Sequence, residues 1–99
     1  MINRISFIYI TSAELSTTYN PLTIAANILK KSGIDICFVG VNSNNNLTNY
    51  TPIGYSVYTV FHIVDTVSIL CVSYMDGTIY TNTRTRTDQQ FRGWKHFTV

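Results

Sequence analysis

The chain is poor in charge. Asp, Glu, Lys and Arg make up 12% of its 99 residues, about half the share that soluble domains usually carry. Apolar residues reach 45%, so few charged side chains are left to solvate the surface of a monomer. A chain of this length builds one core, and oligomerisation often completes so small a core. The net charge of +2 is too mild for a typical nucleic-acid-binding domain, in which Lys and Arg are numerous and clustered.

Cysteine is scarce and long apolar runs are absent. Cys37 and Cys71 stand in apolar segments of a chain with no recognisable secretory signal, which favours buried free thiols over a disulfide. The run 5–10 is too short for the core of a signal peptide. No segment reaches the roughly twenty apolar residues of a membrane span. We therefore expect a soluble protein, made in the cytoplasm and not inserted into a membrane.

A catalytic or metal-binding constellation is also missing from the sequence. The five acidic residues are scattered, and Asp65 and Asp76 fit ordinary turn positions. His62 and His96 have no neighbour at metal-ligand spacing, and no glycine-rich loop precedes a helix. We therefore expect no enzyme, no metal site and no cofactor. Catalysis by residues that meet only in the folded chain stays open as the last alternative.

Residues 1–41 have a strand–helix–strand pattern. The β-branched and aromatic run 5–10 predicts a strand. A helix over 21–32 is indicated by Asn20 as its N-cap, a proline at its first position and a glycine just past its end. Its Leu, Ile and Ala residues form one apolar stripe. The apolar run 34–41 predicts a strand buried on both faces.

An Asn-rich loop, 42–51, leads into a second half, 52–99, that predicts an antiparallel meander. Its strands are expected over 55–63, 67–75, 78–86 and 91–99. Asp76-Gly77 predicts a two-residue type I′ hairpin turn, in which both central residues have positive φ. The chain is therefore expected to be a single α+β domain over 1–99, a small antiparallel sheet with one helix packed on it.

Threonine alternates with polar and charged residues over 81–87. In a strand, Asn82, Arg84 and Arg86 would share one face. Two guanidiniums facing water suit carboxylates, phosphates or sugar hydroxyls. An edge strand that is protected from aggregation by its charges explains the same pattern equally well.

Trp94 is the only tryptophan. In so small a domain it predicts a core or interface anchor, and the alternative is a stacking platform for a sugar ring or a base. Interleaved Arg and aromatic residues also occur in sites for single-stranded nucleic acid, but the basic residues here are few. The candidate residues for glycan binding are Trp94, Tyr80, Asn82, Arg84 and Arg86.

Three short motifs mark the C-terminal half. They are Gly77-Thr78-Ile79-Tyr80, Phe91-x-x-Trp94-Lys95 and Asn49-x-x-Pro52-x-Gly54. Together they cover residues 49–99, and this half of the chain resembles the knob-like domains at the ends of bacteriophage tail fibres and pyocin fibres. The first two motifs, joined by a short polar segment, resemble the closing hairpin of those domains, and the third motif is similar to their beginning.

The resemblance implies a β-rich homotrimer of the virion, assembled in the host cytoplasm, that attaches to a receptor on the host surface. A glycan is the receptor class that we expect. Two alternatives stay open. One is a structural virion protein, such as a head fibre, decoration or adaptor, that docks on another phage protein. The other is a small phage-encoded inhibitor that binds a host protein.

Overall fold

A computed structural model describes residues 2–30, 34–43, 47 and 50–97. Within these residues the elements are, in order, β1 (Ile2–Thr11), α1 (Pro21–Leu29), β2 (Ile34–Asn42), β3 (Ser56–Ile63), β4 (Thr66–Ser73), β5 (Ile79–Thr85) and β6 (Lys95–Phe97). The strands form a single sheet whose spatial order is the order of the sequence. The fold is mostly β and broadly α+β, with the helix as a minor part.

The sheet is mixed. β1 and β2 are parallel, with α1 in the connection between them, and every later neighbouring pair is antiparallel. The register places residues of one face in rows across the strands. One such row runs from Phe7 through Phe38, Thr59 and Leu70 to Thr81. Because side chains alternate along a strand, these rows define which residues share a face.

The helix begins where the sequence predicts. Asn20 is the N-cap, its Oδ1 accepts from the backbone N–H groups of Leu22 and Thr23, and the Thr23 hydroxyl accepts in return from the Asn20 N–H. This reciprocal arrangement satisfies N–H groups that the first turn leaves unpaired. The helix ends at Leu29 with Lys30 as its C-cap, earlier than the predicted end at 32. The residues 31–33, including the glycine predicted to follow the helix, lie outside the described part.

One face of the sheet is covered by α1, which lies across β3 and β4. Between helix and sheet is the core, made of Ile10, Ala25, Ile28, Leu29, Cys37, Val39, Val41, Tyr58, Val60, Val67, Ile69 and Cys71. Both cysteines are free and buried, and burial raises the pKa of the Cys71 thiol above its ordinary value. The thiol form is therefore favoured at neutral pH, as expected for a structural cysteine.

The opposite face of the sheet has no helix on it in the described part of the chain, and we call it the open face. It carries eight large apolar side chains that are 37% to 78% exposed, namely Ile5, Phe7, Tyr9, Val57, Phe61, Ile63, Leu70 and Phe97. The prediction that β2 is buried on both faces was wrong. Its Cys37, Val39 and Val41 are buried in the core, on the side of the sheet that carries α1, whereas Ile36 and Phe38 on the open face are partly exposed.

The last predicted strand, 91–99, is much shorter than expected. Only Lys95–Phe97 pairs with the start of β5, while Phe91–Trp94 runs without regular structure before it. Gly93 has a φ of 114°, a conformation outside the extended region that a strand needs. Residues 98–99 lie outside the described part of the chain.

The turn between β4 and β5 differs from the predicted type I′ hairpin. Gly77 has positive φ (78°) but Asp76 does not, and four residues, 74–77, form the loop. The Ser73 hydroxyl accepts from the N–H groups of Met75 and Asp76, and the Asp76 carboxylate accepts from the Thr78 N–H. These side-chain bonds favour a longer loop that uses a single left-handed residue.

Val64 is strained in the two-residue turn between β3 and β4. Its φ is 54°, a conformation that costs a β-branched residue about 1–2 kcal/mol. We expect Val64→Asn to raise the free energy of unfolding by about 1 kcal/mol, since Asn adopts this conformation more readily and Val64 is 66% exposed. Urea denaturation measures the change. The neighbouring Asp65 has no positive φ, so Asp65→Asn is the control and should change stability by less than about 0.5 kcal/mol. A loss of stability in Val64→Asn would contradict this interpretation.

Candidate functional site

An open groove of about 610 Å³ lies beside the sheet, between one side of α1, β5 and the segment 89–94. Its lining combines aromatic rings, amides and guanidiniums. The lining residues are Leu22, Thr23, Ala26, Tyr50, Asn82, Arg84, Gln89, Gln90, Phe91, Arg92, Gly93 and Trp94. Three of the five predicted glycan-binding residues are therefore brought together here, namely Asn82, Arg84 and Trp94.

The irregular segment 86–94, whose residues 89–94 line the groove, is held in place by a small polar network around Asp88. The Asp88 carboxylate accepts from the Thr85 N–H at 2.9 Å and from the Arg92 guanidinium at 3.2 Å. The Thr85 N–H, and secondarily the charge of Arg92, lower the pKa of the Asp88 carboxyl below its ordinary value. The backbone N–H of Arg92 also donates to the Thr83 carbonyl at 3.1 Å. These contacts fasten the irregular segment to the end of β5.

Asn82 fixes the part of this segment that carries the tryptophan. It is buried, with 4% of its surface exposed, and its Oδ1 accepts from the N–H groups of Thr83 at 2.9 Å and Gly93 at 3.0 Å. The positive φ of Gly93 allows the chain to turn at this point. Asn82 therefore positions Trp94 at the floor of the groove.

Trp94 is anchored against the core, which is the first of the two roles that its sequence context predicts, and it also lines the groove. It is partly buried, packs against the core and meets the ring of Tyr58 edge to face, with 5.9 Å between ring centroids. Its remaining surface lines the groove. A ring that is anchored on one side and accessible on the other is suited to stack against a planar or apolar face of a ligand.

Arg84 supplies the positive charge of the groove. Its guanidinium lies 5.8 Å from the centre of the Phe91 ring, a cation–π contact. Its Nε is buried and has no hydrogen-bond partner among the described residues, and no carboxylate there forms an ion pair with it. A guanidinium held over a ring and not neutralised by an acid can interact with an anionic or hydroxyl-rich ligand.

Tyr80 and Arg86, the other two predicted residues, lie outside the groove. Tyr80 stacks on His96 with 4.7 Å between ring centroids, on the same face as Asn82. Arg86 follows the end of β5, and its guanidinium donates to the carbonyls of Leu29 and Val64 at 3.3 Å and 3.2 Å. Arg86 thus satisfies an otherwise unpaired carbonyl at the C-terminal end of α1.

The prediction that Asn82, Arg84 and Arg86 form a water-facing strip was wrong for Asn82 and Arg84, whereas Arg86 is exposed. Asn82 is buried, and Arg84 is partly buried under the segment 86–94. The edge-strand alternative was wrong for the first half of β5 as well, because Ile79–Thr81 pairs with β6. The Thr side chains of β5 face the open side of the sheet instead, in register with Ser68 and Leu70.

Comparison with models of protein families, with curated proteins and with solved structures finds no match. Among the described residues, no group of three or more His, Cys, Asp or Glu side chains is placed to hold a metal ion. In the same part of the chain, no helix has the length and hydrophobicity needed to cross a bilayer. What the groove does must therefore be argued from its own side chains.

Several groove residues carry no signal in the sequence. Gln89 and Gln90 occur in a polar loop, and Tyr50 lies in the Asn-rich loop 42–51, with nothing in their spacing to connect them. Leu22 and Ala26 belong to the apolar stripe of α1 and reach the groove because the helix does not cover β5. Phe91 was expected in a strand, and its contact with Arg84 depends on the irregular path of the segment.

Proposed function

We propose that this chain is a non-enzymatic component of a bacteriophage virion appendage that attaches to a host-surface glycan through the groove at Arg84 and Trp94. The phage context rests on the resemblance of residues 49–99 to fibre knob domains, which also implies a homotrimer. The glycan-binding part rests on one observation of geometry. An anchored indole and a guanidinium that has no acidic partner among the described residues line the same open groove.

The chemistry of the groove favours an acidic glycan. Arg84 provides a guanidinium that makes bidentate contacts with carboxylates and phosphates. Gln89 and Gln90 add amide donors and acceptors for hydroxyl groups, and Trp94 and Tyr50 add aromatic surface. The Asp88 carboxylate near the groove is already engaged by Arg92, which reduces its repulsion of an anionic ligand.

Glycan-array binding of the purified chain tests this proposal. The array includes sugars with and without carboxylate or phosphate groups. We expect selective binding of acidic glycans, weakened at least about tenfold by Arg84→Gln because a charge-assisted contact of about 1.5–3 kcal/mol is lost. Lys95→Gln removes the same charge from β6, outside the groove, and should leave binding unchanged. Trp94→Phe, which keeps an aromatic ring on Tyr58, should also weaken binding.

Two results would contradict the site. One is the absence of binding to any acidic glycan on the array. The other is binding that survives Arg84→Gln and Trp94→Phe together, with both variants folded by circular dichroism. Binding that falls equally in Lys95→Gln would indicate a non-specific charge effect and would also count against the groove.

A structural virion protein that docks on another phage protein is the second candidate, and the open face favours it. Eight exposed apolar side chains on one face suit a protein partner better than a sugar. Mass spectrometry of purified virions distinguishes both virion proposals from a phage-encoded inhibitor, because the inhibitor would be absent from the particles. Competition by free acidic sugar then separates attachment to a glycan from docking on protein.

A further inference from the structure

The open face is apolar across its whole width. Its most exposed ring, Phe7, is 78% exposed and stacks on Phe38 of the neighbouring strand with 5.2 Å between ring centroids. Tyr9 lies over Gly40 in the next row, where a Cβ would be only 3.6 Å from the tyrosine ring. Towards the other edge, Val57, Leu70 and Phe97 continue the apolar surface. Monomeric proteins rarely leave a patch of this extent in water.

Charge is almost absent from this face. Of its described side chains, only Lys95, on the short last strand, is charged. The remaining polar groups are neutral, namely hydroxyls such as those of Thr59, Ser68 and Thr81, and the amide of Asn42. Such a face offers nothing to a strongly charged partner. It is complementary to a face of the same kind, since neither side has to bury an unpaired charge in the contact.

The size of the face matches what a stable interface between two copies needs. Six strands span about 24 Å and seven residues of strand about 23 Å, so each copy can contribute on the order of 600 Å². Two copies then bury about 1,200 Å², at the lower end of the range for specific protein interfaces. Sheets that pack face to face through interdigitating side chains are a common arrangement, with an angle of about 30° between their strands.

In the described part of the chain, α1 lies on the opposite side of the sheet, and the large apolar side chains of the open face are left exposed. A second copy of this chain presents the same uncharged apolar surface and can cover them.

We propose that the open face is the contact surface between copies of this chain, with the apolar rows of one sheet packed against those of the next. This inference deepens the self-association that the appendage proposal includes, and it does not depend on glycan binding. The groove stays accessible to a ligand in such an assembly, because Arg84 and Trp94 lie on the helix side of the sheet, opposite the open face.

Light scattering of the purified chain at about 10 and 200 µM, with substitutions on and off the face, tests this proposal. We expect a mass of two or three times the 11.2 kDa chain mass. Phe7→Lys and Leu70→Lys place cations at the edge and the centre of one row of the open face, and each should weaken association at least tenfold. Met75→Lys is the control: Met75 is 71% exposed, but it lies in the β4–β5 turn, outside the face. It should leave the mass unchanged.

A monomer at 200 µM would overturn the proposal, as would an oligomer that persists in both folded face variants. Dissociation in Met75→Lys equal to that in Phe7→Lys would overturn it too. Phe7 has most of its surface exposed, so its variant should keep the far-ultraviolet circular dichroism of the parent even where Leu70→Lys does not. A mass of three chains would also agree with the homotrimer of the appendage proposal. A mass of two chains would support the interface and contradict the trimer.

Discussion

Replacing Tyr58 with alanine is expected to lower the free energy of unfolding by about 4 kcal/mol, the largest loss among the single substitutions considered. Tyr58 is fully buried at the centre of the covered face and supports the Trp94 ring. Its hydroxyl donates to the Ile53 carbonyl at 3.2 Å. The substitution therefore removes a large core side chain and leaves a cavity, and the Ile53 carbonyl keeps only its hydrogen bond from the Ser56 hydroxyl. Urea denaturation followed by circular dichroism measures the change.

Two further variants separate the contributions at this position. Tyr58→Phe keeps the ring and loses only the hydrogen bond, so it should cost about 1 kcal/mol. Tyr19→Ala removes a tyrosine that is 37% exposed and should change stability by less than about 0.5 kcal/mol. Equal losses in Tyr58→Ala and Tyr19→Ala would contradict the placement of the core.

Burial also makes Tyr58 a source of instability at alkaline pH. Burial, and secondarily the nearby Cys71, raise the pKa of its hydroxyl above the ordinary value of about 10. The unfolded chain loses this proton first, so stability is complete below about pH 10 and falls as the pH rises further. We expect Tyr58→Phe to reduce this alkaline loss.

Replacing Asn20 with alanine is expected to cost about 2 kcal/mol, the second largest loss. Its Oδ1 caps two N–H groups of α1, and its Nδ2 donates to the Ser16 carbonyl at 2.9 Å. Loss of an N-cap costs about 1 kcal/mol, and the loss of the buried amide's hydrogen bond to the Ser16 carbonyl, which then keeps only the Tyr19 N–H, adds to this. Thermal and urea unfolding both report the change.

Asn27→Ala is the matched control in the same helix. Asn27 is exposed and lies in the interior of α1, where alanine is the better helix former, so stability should stay the same or rise by about 0.5 kcal/mol. Asn20→Ser, which keeps a capping oxygen but loses the amide donor, should lie between the parent and Asn20→Ala. A loss in Asn27→Ala as large as that in Asn20→Ala would show that side-chain capping does not stabilise the helix.

The local signals in the sequence predict most of the elements of this fold. Asn20 and the following proline mark the start of α1 correctly, since capping depends on adjacent residues. The strands β3 and β4 are found within two residues of their predicted bounds, because β-branched and aromatic runs are local as well. The sequence does not reveal that β1 and β2 are parallel, or that α1 covers only one face. Those features depend on contacts between distant segments.

The site is less predictable than the fold for the same reason. Alternation alone correctly puts Asn82 and Arg84 on one face of β5, but it gives no sign that the segment 86–94 folds over them. Arg86 was placed with them by the same alternation, yet the strand ends at Thr85 and the side chain turns to the end of α1. The turn that Asp88 stabilises after β5 determines both the path of the segment 86–94 and the position of Arg86. Its hydrogen bonds leave no periodic pattern in the sequence.

Hydroxyl-radical footprinting at low and high protein concentration tests most directly whether one face of the sheet is covered by the helix and the other by copies of the chain. At low concentration we predict oxidation of Phe7 and Phe61 and protection of Tyr58, which lies under α1. At high concentration Phe7 and Phe61 should become protected, while the exposed Tyr19, outside the open face, stays reactive. Oxidation of Phe7 and Phe61 that does not change with concentration, or oxidation of Tyr58 together with them, would contradict this account.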